Sequence, residues 1–360
     1  MPDIHTTAEP TLLVVKTSSL GDVLHAMPAV AEAAQAGFCV DWMVEEEYAD
    51  VVRLHPGVNR VVPCAIRRWR KNWRTHREEI RQFFSQLRHT TYNHVIDSQG
   101  LIKSALLARA ANGPASGFSH TTAREPWAAF GYEHRINVPK QQHAVLRQRQ
   151  LFAQVLGYTL SDHIPSVLEL SPQTRRQIVL LHGTAWQVKL WPEPMWVRLA
   201  QLATQQGYEV LLTWGNEEEQ QRAQRIAAAV SGVTLLDKRP IDQLAPVFAQ
   251  ATGVIGVDTG LTHLSAALGV PTLGLYGPTD AQLTGCSGAR TQTLQSSLDC
   301  SPCVEKTCQR YRGEPLRWEG EVVSPPCFAQ LTPERVWAEA QRHFQQDTPQ
   351  PDAAHCRAAP

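Results

Sequence analysis

The chain has no run of apolar residues near the ~20 needed to span a bilayer. Its first such run, Leu12-Leu13-Val14-Val15, is too short for the core of a secretory signal and reads as a buried strand. Net charge is also missing, with 34 Lys and Arg against 34 Asp and Glu. That excludes a whole-molecule field drawing in nucleic acid or anionic lipid, though not a local patch. No glycine-rich dinucleotide fingerprint follows the first strand, where Ser18-Ser19-Leu20-Gly21 stands instead. No internal sequence repeat is visible. The lack of a spanning segment and of a signal core sets a cytoplasmic location as the default expectation.

The chain has 360 residues, 43% hydrophobic and 19% charged. That is a globular composition and a length suited to two domains. Short apolar strands alternate with longer helical stretches, which predicts βαβ units and parallel sheets. Strands are expected at 11–16, 39–44, 58–64, 93–97 and 114–118, and helices at 22–36, 73–88, 100–111 and 141–156. Ser, Asp, Pro and Gln then break the pattern around 160–176, as in a linker. A second series follows, with strands at 177–182, 208–213, 233–236, 253–257 and 271–275. Its helices are expected at 193–206, 216–230, 240–250 and 259–268. Thr332-Pro333-Glu334 opens a last helix. The expected domains are 11–165 and 176–331, facing a cleft, with helix 332–345 and a disordered tail at 346–360. Ligands should bind between the domains, at the carboxyl ends of the strands.

Several segments carry chemistry. Thr17-Ser18-Ser19-Leu20-Gly21-Asp22 joins the first strand to the first helix and would project Asp22 into the cleft; locally, a helix-capping acid explains it as well. Asp258-Thr259-Gly260-Leu261-Thr262-His263 is the equivalent turn in the second half, suited to a diphosphate. Thr184 ends a strand, and Lys189 precedes a Trp-Pro helix start from which its ammonium reaches back over the cleft. Glu219, after the strand at 208–213, is a candidate for ribose hydroxyls or a helix-dipole acid. Arg67, Arg68, Arg70 and Lys71 form a basic cluster read as a loop, and Arg124 is a further cation. Cys39 and Cys64 read as inert core residues. Cys300, Cys303, Cys308 and Cys327 read as reduced structural thiols, with a tetrahedral zinc site as the alternative.

Taken in order, these segments resemble the bacterial lipopolysaccharide heptosyltransferases of glycosyltransferase family 9. The most specific are Val15-Lys16-Thr17-Ser18-Ser19-Leu20-Gly21-Asp22, Ala65-Ile66-Arg67-Arg68-Trp69-Arg70-Lys71, Asp97-Ser98-Gln99-Gly100-Leu101, Ala123-Arg124-Glu125-Pro126, Gln141-Gln142-His143-Ala144-Val145, Asp258 to His263, and Tyr276-Gly277-Pro278-Thr279-Asp280. The resemblance runs over roughly 11–345. It implies an α/β protein of the GT-B fold: two Rossmann-like doubly wound domains facing a cleft, the last helix crossing back to the first domain. It implies an inverting glycosyltransferase that needs no cofactor or metal. The transferred sugar would be L-glycero-D-manno-heptose, moving from ADP-heptose to a Kdo residue of Kdo-lipid A in the lipopolysaccharide inner core. A heptosylated acceptor is the alternative.

By motif, the resemblance makes Asp22 the general base and Lys189 a catalytic cation. The donor site is Thr184, Lys189, Glu219, Asp258, Thr259, Gly260 and His263, and the acceptor side is Arg67, Arg68, Arg70, Lys71 and Arg124. It implies an enzyme peripheral on the cytoplasmic face of the inner membrane, with no nucleic-acid partner. Ala185 and Arg239 depart from the family's usual residues near the nucleotide. Two rivals differ in class. An epimerase would need the missing dinucleotide fingerprint, and a non-catalytic anionic-ligand binder would rest on the 67–81 patch.

Overall fold

The two series of strands build two separate sheets of six parallel strands each. The computed structural model describes residues 9–165, 167–168 and 175–345; most of the expected linker's later half and the whole expected tail at 346–360 lie outside these. The first sheet contains β1 (Thr11–Val15), β2 (Cys39–Glu45), β3 (Arg60–Cys64), β4 (His94–Asp97), β5 (Ala115–Phe118) and β6 (His134–Ile136). The second contains β7 (Arg175–Leu181), β8 (Glu209–Leu212), β9 (Val233–Leu235), β10 (Ala251–Val257), β11 (Thr272–Tyr276) and β12 (Thr291–Gln295). Helices α1 (Leu20–Gln35), α2 (Ala49–Arg53), α3 (Ile66–Lys71), α4 (Arg77–His89), α5 (Ile102–Ala110) and α6 (Ala144–Leu156) belong to the first half. Helices α7 (Glu193–Gln205), α8 (Glu217–Ala229), α9 (Ile241–Ala249), α10 (Gly260–Ala267), α11 (Ala281–Thr284) and α12 (Pro333–Gln345) belong to the second.

The strand orders are β3-β2-β1-β4-β5-β6 and β12-β11-β10-β7-β8-β9. Counted from its own first strand, each sheet has the doubly wound order in which chain direction reverses beside the first strand. The reversal opens a crevice between the carboxyl ends of β1 and β4, and another between those of β7 and β10. The turns carrying Asp22, Gln99, Thr184 and Asp258 all stand at these two crevices.

The expected strands form where apolar runs are buried on both faces, as in β1, whose Leu12 to Val15 are fully enclosed. Edge strands β6 and β12 were not expected. His134–Ile136 is mostly exposed and Thr291–Gln295 is mainly polar, so neither carries a hydrophobic signal. The basic cluster is not a loop. It is helix α3, held down by Trp69, whose ring packs edge-on against Phe83 at 5.1 Å.

Among the described residues the last helix, expected to cross back to the first domain, packs on the second. Val336, Trp337, Ala340 and Phe344 of α12 enter the second domain's core, against α7 and β10. Gly253 leaves room for this, since a Cβ there would lie 2.4 Å from the Phe344 ring. Contact between the halves comes instead from α1 on α10 and α2 on α9. One continuous apolar cluster joins Leu24, Met27 and Val51 of the first half to Leu244, Phe248 and Leu264 of the second.

Candidate active site

The first wall of the cleft is the turn between β1 and α1. Asp97, fully buried at the end of β4, accepts hydrogen bonds from the Gln99 amide (2.8 Å), the Ser104 hydroxyl (2.7 Å) and the Tyr132 hydroxyl (2.6 Å). These bonds fix the loop after β4. Its Gln99 Oε1 then accepts from the amides of Thr17 (3.1 Å) and Ser18 (3.2 Å), holding the turn open beside α1. Gly100 in this loop has φ +69°, a left-handed conformation that favours glycine.

Asp22 stands in the first turn of α1. Its Oδ2 accepts from the Ser19 amide (3.0 Å) and hydroxyl (2.9 Å), so the helix-capping role is real. Among the described residues no donor engages Oδ1, and the side chain keeps 35% of its surface open. Burial opposes its ionisation, but the Lys16 ammonium, the Ser19 bonds and the His25 ring outweigh it and hold the carboxyl below its usual range. Asp22 is the carboxylate of a pocket also lined by Lys16, Arg124, Lys140 and Arg147, with Thr284 closing it from the second domain. Arg124 Nη1 lies 3.9 Å from Asp22 Oδ2. Lys16 is buried and donates to the Ser98 carbonyl at 3.0 Å; burial lowers its pKa, against the pull of Asp22 and Asp97.

The second wall is built around Asp258 at the end of β10. Its Oδ2 accepts from Lys189 Nζ (2.7 Å) and the Thr279 hydroxyl (2.7 Å), and its Oδ1 faces His263 Nε2 at 3.4 Å. Burial works against its ionisation, but His263 and Lys189 hold the carboxyl far below the usual range. Its oxygens are thus spent on protein groups, and Asp258 positions the lysine. The Lys189 ammonium lies 4.5 Å from the Trp186 ring centre, over its face. Thr184 donates to the Asp258 carbonyl at 3.1 Å. Thr259 is the N-cap of α10, and among the described residues the amides of Gly260 and Leu261 have no hydrogen-bond partner at that helix start. Asn216 caps α8 by accepting from the Glu219 amide at 3.0 Å, and the Glu219 carboxylate accepts from the Gly215 amide at 2.7 Å and lies against Gly183, where a Cβ would come within 2.5 Å. Lys189, Thr184, the α10 amides and Glu219 therefore line the carboxyl ends of β7, β8 and β10, a cradle for a diphosphate with a carboxylate alongside.

The two walls interlock at their helix starts. A Cβ on Gly21 would meet the His263 ring at 3.0 Å, and one on Gly260 would meet Leu20 at 2.7 Å. The bareness of Gly260, read from the sequence as room for a ligand, is used by the other domain's leucine. His25 packs edge-on against His263 (4.6 Å between centres) and His143 (5.6 Å). Nε2 of His25 (3.3 Å) and of His143 (3.0 Å) both donate to the Gly285 carbonyl. Burial, with His263 and His143 nearby, pushes the His25 pKa down to about 3 despite Asp22.

That depression has a sign. The folded chain keeps His25 neutral, while the unfolded chain protonates it near pH 6.5. Stability is therefore unaffected at alkaline pH and falls as pH drops from 6.5 toward 3. His25 alone should cost about 2 kcal/mol by pH 5. His55 and His182, each lowered to about 4 by burial, add in the same direction. Thermal melts should be flat from about pH 8 to 7 and then decline, with a shallower decline in His25→Gln. An equal slope in the variant would remove His25 from this account.

Other expected site residues lie elsewhere. Arg68 bonds Glu46 (3.0 Å) and Glu79 (2.7 Å), and Arg67 pairs with Glu47. None of Arg67, Arg68, Arg70 and Lys71 lines the Asp22 pocket; its other cations, Lys16, Lys140 and Arg147, were missed from the sequence. Cys300, Cys303, Cys308 and Cys327 do converge on one pocket beside Val188 and Pro278. Among the described residues, however, no group of three or more His, Cys, Asp or Glu is arranged to hold a metal. Burial pushes the Cys327 thiol up to about 12. Cys64 is buried as expected, but Cys39 is only partly so.

Comparison with known proteins agrees with this geometry. The model for glycosyltransferase family 9 (heptosyltransferase) matches residues 80–312. Lipopolysaccharide heptosyltransferase 1 of Pseudomonas aeruginosa is 43% identical over 339 residues, covering 90% of this chain and 95% of that protein. The Escherichia coli protein of the same name is 43% identical over 77% of this chain and 91% of its own length. The structure of E. coli heptosyltransferase WaaC with ADP superposes with a TM-score of 0.73 at 41% identity, over 79% of this chain and 92% of that one. The same enzyme with ADP-2-deoxy-2-fluoro heptose gives 0.72 at 40%, over 79% and 93%. Two doubly wound domains around one cleft, with matches this extensive, make the chain a member of glycosyltransferase family 9, the heptosyltransferases.

Proposed function

We propose that this chain transfers L-glycero-D-manno-heptose from ADP-heptose to a Kdo residue of Kdo-lipid A, with inversion at the anomeric carbon. The observation that carries it is the pocket in which one accessible carboxylate, Asp22, faces Lys16, Arg124, Lys140 and Arg147. Such a basin suits an acceptor sugar bearing several anionic groups, with a base at its centre. The donor reading draws on the relatives' name and on the E. coli enzyme's structures with ADP and a fluorinated ADP-heptose.

In this mechanism the ADP diphosphate lies at the start of α10 and beside Lys189, and the acceptor lies against Arg124 and its neighbouring cations. Asp22 Oδ1 takes the proton of the acceptor hydroxyl as its oxygen attacks the anomeric carbon. The bond from that carbon to the diphosphate breaks on the opposite side, through an oxocarbenium-like transition state. The departing ADP carries the electron pair, and its growing charge is met by the Lys189 ammonium and the free α10 amides. The reaction is placed at the cytoplasmic face of the inner membrane, where the lipid-linked acceptor is anchored.

Incubation with ADP-heptose and either Kdo-lipid A or a heptosylated core acceptor, read by mass, tests this. One added heptosyl unit on Kdo-lipid A is expected. Transfer to the heptosylated acceptor alone would overturn the acceptor assignment, and no transfer to either would overturn the activity.

A further inference from the structure

Large apolar side chains are exposed together on one outer face of the first domain. Trp127 (72% exposed) and Phe130 (64%) stack with ring centres 5.6 Å apart on the short helix at 126–131. That helix packs directly on α5, where a Cβ on Gly131 would come within 3.0 Å of Ala105. One turn apart on α5, Ile102 (45%) and Leu106 (63%) are also exposed. Glu125 Oε2 accepts from the Ile102 amide at 2.7 Å, tying the two elements together at the end nearest the site.

The chain segment that builds this face is richer in cations than in acids, although Glu125 and Glu133 are exposed on it and Glu46 and Glu47 pair with its Arg68 and Arg67. Residues 66–136 contain twelve Lys and Arg against five Asp and Glu, in a chain with 34 of each. Around the apolar side chains stand Lys103, Arg109 and Arg135, the last 5.7 Å from the Phe130 ring centre. None of these three forms a salt bridge among the described residues. The patch also adjoins the cleft: Glu125 and Arg124, next to Trp127 in the chain, line the cavity containing Ser19 and Asp22.

We infer that this face, centred on Trp127, Phe130, Ile102 and Leu106, docks on the surface of an anionic lipid bilayer. Exposed tryptophan and phenylalanine beside lysine and arginine match the interface, where apolar rings enter the headgroup region and cations meet phosphates. A second copy of the chain fits less well, because a two-fold contact through this face would bring Lys103, Arg109 and Arg135, none of them in a salt bridge among the described residues, against their own copies. The inference rests on the lipid-linked acceptor proposed above. Docked this way, the acceptor's acyl chains remain in the bilayer while its sugars reach past Arg124 to Asp22.

The test uses the full chain and phosphatidylcholine vesicles with and without phosphatidylglycerol, read by co-sedimentation. Wild type should bind the phosphatidylglycerol vesicles, more weakly as salt rises. Trp127→Ser combined with Phe130→Ser should weaken that binding at least ~10-fold, given the apolar area removed. Both rings are exposed, so an unchanged thermal melt is the folding control. Transfer to a water-soluble, deacylated acceptor should be unchanged in the variant, while transfer to a vesicle-embedded acceptor should fall by a similar factor. Unchanged vesicle binding in the variant, or no binding by wild type, would overturn the assignment. So would loss of a wild-type dimer in the variant with vesicle binding retained. Wild type that binds vesicles but transfers to neither acceptor would overturn the proposed reaction and leave the docking surface standing.

Discussion

Asp22→Asn should lower kcat on the order of 10³-fold while leaving the Kd for ADP-heptose within about 2-fold of wild type. The variant is chosen to separate two roles the structure gives one side chain. Asn can still accept from the Ser19 amide, as Asp22 Oδ2 does at 3.0 Å, so the α1 cap survives. It cannot take a proton through the atom corresponding to Oδ1. Asp22→Ala should lose both roles, adding about 1 kcal/mol of instability to the same loss of turnover. Ser19→Ala should weaken the cap with little effect on kcat. Because Lys16 and Ser19 hold the Asp22 carboxyl below its usual range, it stays ionised through neutral and mildly acidic pH. Any acidic limb of kcat/KM due to Asp22 must then lie below the ordinary carboxylate range. Turnover within 3-fold of wild type in Asp22→Asn would end its assignment as the base.

Lys189→Ala should cost roughly 10²- to 10³-fold in kcat/KM, since the ammonium meets charge that grows only as the diphosphate departs. Asp258→Asn is the informative companion. Asp258 is 10% exposed along its side chain and ionised, and it fixes Lys189, Thr279 and His263 together. The amide retains the shape but loses the charge that orients the lysine. A smaller kinetic loss is expected than for Lys189→Ala, with most of it in the donor KM. Adding Lys189→Ala to Asp258→Asn should cost less than the two separate losses combined, because both act through one pair. Full additivity would show that Asp258 does not work through Lys189.

The sheets and their order along the chain were legible because central parallel strands are buried on both faces and read as unbroken apolar runs. Edge strands β6 and β12 were not, since a strand with one open side needs no such run. The turns at Asp22 and Asp258 were legible as loops opening helices after strands. Their immediate partners were partly so. Lys16 directly follows β1, and Ala144, Arg147 and Gln148 share one face of α6, so strand-end position and helical spacing held a signal for the missed cations. The Arg67–Lys71 cluster misled because a run of charge does not show its pairing: Glu46, just after β2, and Glu79, on α4, close around Arg68. The roles of Gly21 and Gly260 were also out of reach, since each is set by a residue in the other domain.

That exchange of glycine and bulky partner, Gly21 under His263 and Gly260 under Leu20, sits on an apolar cluster shared by both halves. Neither half can therefore be cut free without uncovering Leu24, Met27 or Phe248, so an isolated half should aggregate. The intact enzyme should melt in one cooperative transition, with donor or acceptor stabilising the halves together.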